Sequence, residues 1–596
     1  MQQDKMPLGL ALRVLVQGLV FALVLWLLAL PPLPARLRAR WQWALRKAFW
    51  NNLARLKFRG SRKQQFSIPS GSPRKIIPVD FMTKFPSIPI QNIKVADHIP
   101  CDELRSLHEW LMRIFTRFQV FMYWILSPMQ PGLDEIDPNP YEALRQAYPK
   151  QHAVLFEAPM MPLEFQGSLD LGALAVKGPY ARYLRKYTWV ETPQLDAEWI
   201  TAQVVPPPRW NNKFGRWEEH LYEWDFWGLK EYQHHPGLYN LGCRVLFLVD
   251  VPTRTVQPIG IKGDLGNSRP GRGISKPGDA TWEFAKQLAL CAATNHLSLV
   301  RHFNGIHLAS AAHLAIATRN CLYPDHVLCR LLLPYIYHTQ LSNQIVTLAQ
   351  MVEGGDFDSI FSFTHKGMCE LFSATYKEYR FTVNDPKEDA RQRQIPKPCP
   401  FDTPTQDDFQ RLHDLFRHHA HQYLNIYYNN TALPKDEAVL NWLDALNHAI
   451  PNGLPVTRGN VTIADLSGLL ASFMYLVTVQ HDVCGSFIWN YQLWAHKQPP
   501  RLYRNGQRLP LDVYQRLVNA NFNLNVPRTP LMWEEREDED NWCSLASEQC
   551  GQQSEAKHVW REFQAELDKL EKEWRTQAPW YVWRVYPSML EVNIND

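Results

Sequence analysis

The segment WEFAKQLALCAATNHLSLVRHFNGIH, Trp282 to His307, decides how this chain is interpreted. It places His296, His302 and His307 in one otherwise apolar helical run. Imidazoles on such a helix must be hydrogen-bonded, protonated at a cost, or bound to a cation. A single histidine of this kind is commonly a satisfied core residue. Several histidines at ligand-compatible spacing also favour half of a metal site.

The spacing between two of these histidines predicts an irregular helix. His302 and His307 are five residues apart, and on a regular α-helix such side chains point about 140° apart. A π-bulge, with hydrogen bonds from residue i to i+5, brings them onto one face, and such bulges concentrate at functional sites. Asn304 and Gly305 between them are poor helix formers. We therefore predict a π-bulge between His302 and His307.

Motifs around this helix have the order of a known family. WEFAK (282–286) is followed by histidines sixteen and twenty-one residues after Lys286, then by ATRN (317–320) and RLLLPYIYHTQLSNQ (330–344). These motifs resemble the lipoxygenases. In that family the two histidines are ligands of a non-haem iron, so the resemblance implies this role for His302 and His307. His296 is one residue out of register with the family's upstream histidine, and we expect a supporting or structural role.

The resemblance continues along the chain and implies the fold. The matching segments are NLGCRVLFLVDVPTRTVQPIGIKGD (240–264), SATYKEYRFT (373–382), YLNIYYNNTALPKDEAVLNWLDAL (423–446) and VTIADLSGLLASFMYLVTVQHDVCGSF (461–487). The first resembles paired strands before the helix, and the last resembles the helix that carries a third histidine. The resemblance covers residues 240–596 well and residues 1–230 poorly. It implies a mainly α, large lipoxygenase-like helical domain with a long bulged central helix carrying metal ligands and a small β element.

The third ligand position raises two alternatives. His481 lies in an apolar run and fits a buried core histidine, but its family position implies a metal ligand. One turn later the family usually has Asn or another weak ligand, whereas this chain has Gly485. Either water fills that position, or a second i to i+5 bulge brings Ser486 round. The water alternative is the safer.

In lipoxygenases the last ligand is the terminal carboxylate. This chain ends YPSMLEVNIND (586–596), and aligning Pro587 with the family's proline places Leu590, Ile594 and Asp596 on the tail's hydrophobic positions. A terminal carboxylate is ionised at neutral pH and can bind a metal where the tail is buried. The resemblance therefore implies a fourth ligand at Asp596. The alternative is a frayed, solvated tail.

The ligand set implies radical chemistry on lipids. In the family, iron takes a hydrogen atom from the methylene between two cis double bonds of a polyunsaturated fatty acyl chain. Molecular oxygen then adds and gives a hydroperoxide. One iron is the expected cofactor, with manganese as the alternative. Because Gly485 and Asp596 depart from the family, two alternatives stay open: hydroperoxide rearrangement or another lipid oxidation, and an inactive lipid-binding or membrane-scaffold descendant.

Gly354 and Gly355 lie near the family position of a small residue that influences oxygen access and stereochemistry. A turn or helix break explains a Gly-Gly pair followed by aspartate equally well.

The amino end predicts membrane association. Leu8 to Leu30 is apolar apart from Arg13 and Gln17 and is long enough to span a bilayer. We expect a membrane anchor helix at 1–34, a basic amphipathic membrane-surface stretch at 35–65, a linker at 66–100 and the catalytic domain at 101–596. Positive charge after the apolar segment predicts a single-pass signal-anchor with the catalytic domain in the cytoplasm. Export after signal-peptide cleavage is the alternative.

Composition agrees with a large globular enzyme. The 596 residues are 45% hydrophobic and 20% charged, with a net charge of +4, so nucleic acid is not an expected partner. The 10 cysteines are scattered and predict reduced thiols instead of a disulfide framework. His234, His235, His418, His419 and His421 lie beside polar and turn residues, which predicts surface positions. No P-loop, Rossmann glycine motif or G-x-S-x-G elbow is present.

Overall fold

The computed structural model describes most of the chain beyond residue 161. The described ranges are 162–188, 193–205, 220–266, 273–323, 326–485, 489–492, 494–507, 547–577 and 584–594, with short pieces at 79–82, 88, 90, 92–96, 99, 509–510, 513, 516–517 and 531. These residues form a helix-rich fold with a small sheet, which confirms the mainly α prediction. The expected membrane segments at 1–34 and 35–65 and the greater part of the linker at 66–100 lie outside them.

Helices make up most of the described fold. They are α1 (Leu171–Leu174), α2 (Pro193–Thr201), α3 (Trp282–Asn295), α4 (Ala312–Cys321), α5 (Val327–Ile336), α6 (Thr339–Ala349), α7 (Asp356–Ile360), α8 (His365–Glu378), α9 (Pro386–Gln392), α10 (Pro404–Tyr427), α11 (Glu437–Ala449), α12 (Ile463–Tyr475), α13 (His481–Cys484), α14 (Trp489–Gln492) and α15 (Ser547–Gln577). Two π-helical segments interrupt them, π1 (His296–Ala311) and π2 (Leu476–Gln480).

The central helix runs without a break through α3, π1 and α4, and the predicted bulge is confirmed. The π segment is 16 residues long, more than the single turn expected from the spacing of the two histidines. Gly305 permits close packing, because a Cβ there would lie 3.3 Å from the carbonyl oxygen of Val300 and 3.4 Å from the ring of Tyr379. Asn304 is held through its side-chain amide, which donates to the carbonyl oxygen of Phe372 at 3.0 Å. Tertiary packing on both residues therefore supports the wider winding.

A second long helix crosses the core. It begins at a capped end, where the Thr462 hydroxyl accepts the backbone N–H of Asp465, and continues through α12, π2 and α13. Within the described part of the chain, Ile463–Cys484 is long and apolar enough to cross a membrane, but 83% of its most apolar window is buried inside the protein. Burial of this extent is typical of a core helix. It packs on α10, which in turn packs on α15.

The small β element is an antiparallel sheet in the order β3-β4-β5-β6-β7. Its strands are β3 (Arg185–Lys186), β4 (Leu221–Asp225), β5 (Arg244–Asp250), β6 (Thr255–Lys262) and β7 (Ile274–Ser275), and a separate pair is β1 (Val79–Phe81) with β2 (Lys94–Ala96). Strands β5 and β6 pair in the register Val245 to Ile261, with a bulge between Leu246 and Phe247. The paired strands expected within 240–264 are therefore confirmed. Strand β6 contacts α3 and so supports the start of the central helix.

Seven cysteines, those whose side chains the structure describes, are free thiols, and five of them are buried. This agrees, for those residues, with the prediction that the chain has no disulfide framework.

Candidate functional site

Three histidine side chains converge where the two long helices cross. Nε2 of His307 lies 3.3 Å from Nε2 of His302 and 3.2 Å from Nε2 of His481. The ligand atoms of all three residues lie within 4.8 Å of one another. His307 and His481 are buried, whereas His302 is half-buried. The structure thus brings together the three histidines that the resemblance marks as metal ligands.

The donor set fits a single transition-metal ion. With metal–imidazole bonds of about 2.1 Å, adjacent nitrogens lie about 3.0 Å apart in octahedral geometry and about 3.4 Å apart in tetrahedral geometry. The observed separations of 3.2 and 3.3 Å fall between these values. Imidazole nitrogens suit iron and its neighbours in the first transition row. His302, His307 and His481 would hold such an ion.

Asn343 of α6 fixes the ring of His307. Its side-chain amide donates to the carbonyl oxygen of His307 at 3.2 Å, which directs its own oxygen to Nδ1 of the ring, 2.8 Å away. Nδ1 therefore carries the proton and donates it to Asn343, and the lone pair of Nε2 faces the other two histidines. The residue lies in the 330–344 motif, but nothing in the sequence marked it as a partner of His307.

The helix around His481 has a π segment before the histidine and regular α-helical winding after it. The N–H of His481 donates to the carbonyl oxygen of Leu476, so π2 precedes the histidine. After it, the N–H of Gly485 donates to the carbonyl oxygen of His481 at 2.7 Å, the i to i+4 pattern of a regular α-helix. Up to Gly485 the backbone therefore shows no bulge after His481, which the Ser486 alternative requires and the water alternative does not. Ser486 lies outside the described residues.

The carboxyl-terminal tail is anchored as far as it is described. Leu590, Val592 and Ile594 are fully buried, and the side-chain amide of Asn593 donates to the carbonyl oxygen of Pro334 at 2.8 Å. The backbone N–H of Glu591 donates to the carboxylate of Asp482, the residue after His481, at 2.7 Å. The frayed-tail alternative is wrong for these residues, since they pack beside the third histidine. Asp596 lies outside the described residues.

A polar network leads away from the third histidine. Gln480, which precedes His481, accepts a hydrogen bond from Arg182 and donates to Asn384 at 3.1 Å. Arg182 also pairs with the buried carboxylate of Asp389 at 3.1 Å. Burial raises the pKa of Asp389, but Arg182 and Arg393 outweigh burial and lower that pKa to about 2. Asp389 is therefore an ionised buried anchor. Arg393 is four residues further along the chain, but Arg182, which joins Asp389 to the network, is 207 positions away and could not be identified from local sequence.

His296 has its own partner outside the cluster. Its Nδ1 lies 3.0 Å from the hydroxyl of Tyr183, and the two rings meet edge to face. Burial, followed by the positive charge of Arg301, lowers the pKa of His296 to about 3. His296 is therefore a neutral, hydrogen-bonded ring outside the cluster, and its supporting or structural role stays a prediction.

The glycine pair has the geometry of a turn before α7. Gly354 has a φ of +74°, a backbone conformation that favours glycine. A Cβ at Gly355 would lie 2.6 Å from the carbonyl oxygen of Gln350 and 2.9 Å from that of Ala349. Both glycines are therefore explained by the backbone. A role in oxygen access stays a prediction.

The other histidine groups are less exposed than predicted. His234 and His235 line an open groove of about 540 Å³ but are half-buried, and Nε2 of His235 lies 3.1 Å from a carboxylate oxygen of Asp358. His419 is buried and stacks on the ring of Phe563 at 4.5 Å. The surface prediction is wrong for His419, because Phe563 of a distant helix covers it, whereas His234 and His235 are partly exposed at the groove. It is correct for His418 and His421, which are exposed.

Comparisons with known proteins agree with this geometry. A sequence profile described as lipoxygenase matches residues 271–505, a narrower range than the resemblance over 240–596. The fold is similar to a solved lipoxygenase, Delta413-417:GS LOX, in complex with arachidonate, with a TM-score of 0.66, 16% identity, and coverage of 91% of this chain and 81% of that one.

Two further solved structures share the fold. Coral 8R-lipoxygenase matches with a TM-score of 0.65 and 16% identity, covering 90% of this chain and 80% of that one. The manganese lipoxygenase of Gaeumannomyces graminis matches with a TM-score of 0.61 and 14% identity, covering 87% and 96%. A comparison with curated protein sequences gives no match. The chain therefore has the lipoxygenase fold, and its segment 271–505 matches the lipoxygenase family profile.

Proposed function

We propose that this protein is a lipoxygenase-like non-haem iron dioxygenase that acts on a polyunsaturated fatty acyl chain. The observation that carries the proposal is the convergence of three imidazole nitrogens from two bulged helices. His302, His307, His481 and the terminal carboxylate of Asp596 would be the ligands. The positions of Gly485 and Ser486 would be left to water.

The proposed reaction is balanced for one substrate and one dioxygen. Bound iron would accept one electron while a proton is transferred with it, which lowers the barrier to breaking a bis-allylic C–H bond. The methylene between two cis double bonds loses a hydrogen atom, dioxygen adds to the pentadienyl radical, and return of the hydrogen atom completes the hydroperoxide. His302 is the half-buried member of the cluster, so we place the approach of the acyl chain on its side.

The similar structures support the choice of substrate class and metals to test. One of them is a lipoxygenase in complex with arachidonate, and another is a manganese lipoxygenase. Arachidonate is therefore the first probe, and iron and manganese are the two metals to compare.

The test uses the full chain purified with its metal. Metal content is measured by elemental analysis, and oxygen uptake is followed with arachidonate and with a saturated fatty acid of equal length as the control. We expect stoichiometric iron or manganese, uptake with arachidonate alone, and loss of metal in His481→Ala. Metal present without oxygen uptake on any 1,4-diene fatty acid would refute the dioxygenase proposal.

Gly485 favours a second candidate, because it supplies no side-chain ligand where the family has one. In this alternative the same site rearranges a lipid hydroperoxide without consuming oxygen. Loss of an added fatty-acid hydroperoxide under anaerobic conditions, with no oxygen uptake under air, would support it. A chain that retains no metal would instead support an inactive lipid-binding descendant.

We also propose that residues 1–34 anchor the protein in a membrane and that residues 35–65 lie on its surface. The support is the sequence alone: an apolar stretch long enough to span a bilayer, followed by a basic, aromatic one. The full chain should stay with membranes after alkaline extraction, whereas a chain lacking residues 1–65 should be released. Release of the full chain would contradict the proposed anchor. Protection of the catalytic domain from added protease would favour export.

A further inference from the structure

Asp482 carries a buried carboxylate beside the histidine cluster. It follows His481 directly, is 2% exposed, and is flanked by the buried side chains of His481 and Val483. A carboxylate in such surroundings is costly unless it is paired or hydrogen-bonded. The groups that face it therefore indicate its role.

One oxygen of this carboxylate holds the tail. Oδ2 accepts the backbone N–H of Glu591 at 2.7 Å, a short, charge-assisted hydrogen bond. Leu590 and Val592 on either side are fully buried, so the bond lies inside the core. Glu591 precedes the last residue, Asp596, by five positions. The bond thus fixes the backbone of the tail at Glu591, inside the core.

The other oxygen faces the histidine. Oδ1 lies 3.5 Å from Nδ1 of His481, while Nε2 of that ring lies 3.2 Å from Nε2 of His307. A negative charge at this distance favours the proton on Nδ1 and leaves the lone pair of Nε2 directed into the cluster. The contact is electrostatic and is longer than the hydrogen bond by which a carboxylate usually orients a metal-binding histidine.

We propose that Asp482 is a positioning residue that sets both the ring of His481 and the path of the C-terminal tail. Two of the proposed ligands, carried by elements more than a hundred residues apart in sequence, then depend on one carboxylate. The inference rests on the proposed metal site. It makes no use of the substrate or the reaction.

Two substitutions at Asp482 separate its two roles. Asp482→Asn keeps an oxygen that accepts the N–H of Glu591 but places an amide without charge toward His481, so we expect near-normal tail protection and weaker metal binding. Asp482→Ala removes both interactions. We expect amide exchange of residues 584–594 to rise on the order of tenfold in the Ala variant, and metal affinity to fall on the order of 10- to 100-fold.

Substitutions at Glu591 test the tail contact alone. Glu591→Pro removes the donor, and Leu590 before it already has φ −70° and ψ 136°, which a following proline accepts. Glu591→Ala keeps the donor and is the matched control for the lost side chain. The Pro variant should bind metal more weakly than the Ala variant. Asp436→Asn, which changes a helix-capping carboxylate of α11, controls for general destabilisation.

Amide exchange is measured on metal-free protein, and affinity by titration of manganese into the same preparation. If wild type binds metal and both Asp482 variants bind it equally well, the inference is overturned and the proposed function stands. If wild type binds no metal, the proposed function fails, and unchanged exchange in Asp482→Ala overturns the tail contact separately. If the Ala variant does not fold, the Asn and Pro variants decide: wild-type affinity in both overturns the inference.

Discussion

Replacement of Asn343 should weaken metal binding without a matching loss of stability. The amide oxygen of Asn343 accepts a hydrogen bond from Nδ1–H of His307 at 2.8 Å, and its amide nitrogen donates to the carbonyl oxygen of His307 at 3.2 Å. In Asn343→Leu the ring N–H loses its buried acceptor, which costs about 1–3 kcal/mol. Because every 1.4 kcal/mol changes an affinity about tenfold, this loss corresponds to a metal affinity roughly 5- to 150-fold lower.

The loss should fall on the metal-bound state. Without metal, the ring of His307 can rotate or change tautomer and find another partner, whereas coordination through Nε2 requires the proton on Nδ1. Substitutions of such supporting residues typically cost 10- to 100-fold in metal affinity. Asn343→Asp keeps an acceptor and should bind metal better than Asn343→Leu.

The assay is calorimetric titration of manganese into metal-free protein, with urea unfolding as the measure of stability. Asn447→Leu is the control, since Asn447 makes hydrogen bonds to Leu443, Val456 and Leu454 and contacts none of the three histidines. The control should lose stability and keep its affinity. An affinity within twofold of wild type in Asn343→Leu would refute the reasoning.

Three further outcomes follow from the structure. Gly355→Ala should destabilise the protein by about 1–3 kcal/mol in urea unfolding, because its Cβ meets the Gln350 backbone at 2.6 Å; an altered product stereochemistry in the folded variant would instead favour the oxygen-access role. Burial lowers the pKa of His313 to about 4, so the unfolded state binds more protons, and between pH 7 and pH 5 wild type should lose about 2 kcal/mol more stability than His313→Gln; equal pH slopes would contradict this. Adding four residues after Asp596 should lower metal content, whereas an extended chain with full metal would show that the tail carries no ligand.

Much of the fold follows from local patterns in the sequence. The five-residue spacing of His302 and His307 required a bulge because a regular helix points them apart. The length of the π segment could not be predicted, because it also depends on contacts with Phe372 of α8 and with Tyr379 at the end of that helix. The paired strands within 240–264 were predictable from the family resemblance and not from alternation, because β5 is buried at three consecutive positions, 245–247.

The partners of the site were less predictable than its histidines. Asn343 reaches His307 across 36 positions and Asp482 reaches Glu591 across 109, and no periodicity encodes such pairings. The surface prediction for His419 was wrong for the same reason. Its neighbours in sequence are polar, but Phe563 of α15 stacks on its ring and buries it. The sequence analysis did not single out Asp482, although a carboxylate in an apolar helix is a local feature that requires a buried partner.

The positions of the two π segments connect the fold to the site. A π-helical turn replaces the regular i to i+4 hydrogen bonds of an α-helix with i to i+5 bonds. Both π segments occur where a helix carries histidines of the cluster: π1 contains His302 and His307, and π2 precedes His481. Each π segment is held by contacts that do not involve the proposed metal ion. Gly305 packs against the ring of Tyr379, and Gln480 accepts a hydrogen bond from Arg182. These contacts would hold the helix backbone that carries the three histidines whether or not an ion is bound. A site arranged in this way should lose affinity when its supports are changed and keep its fold when the ion is removed.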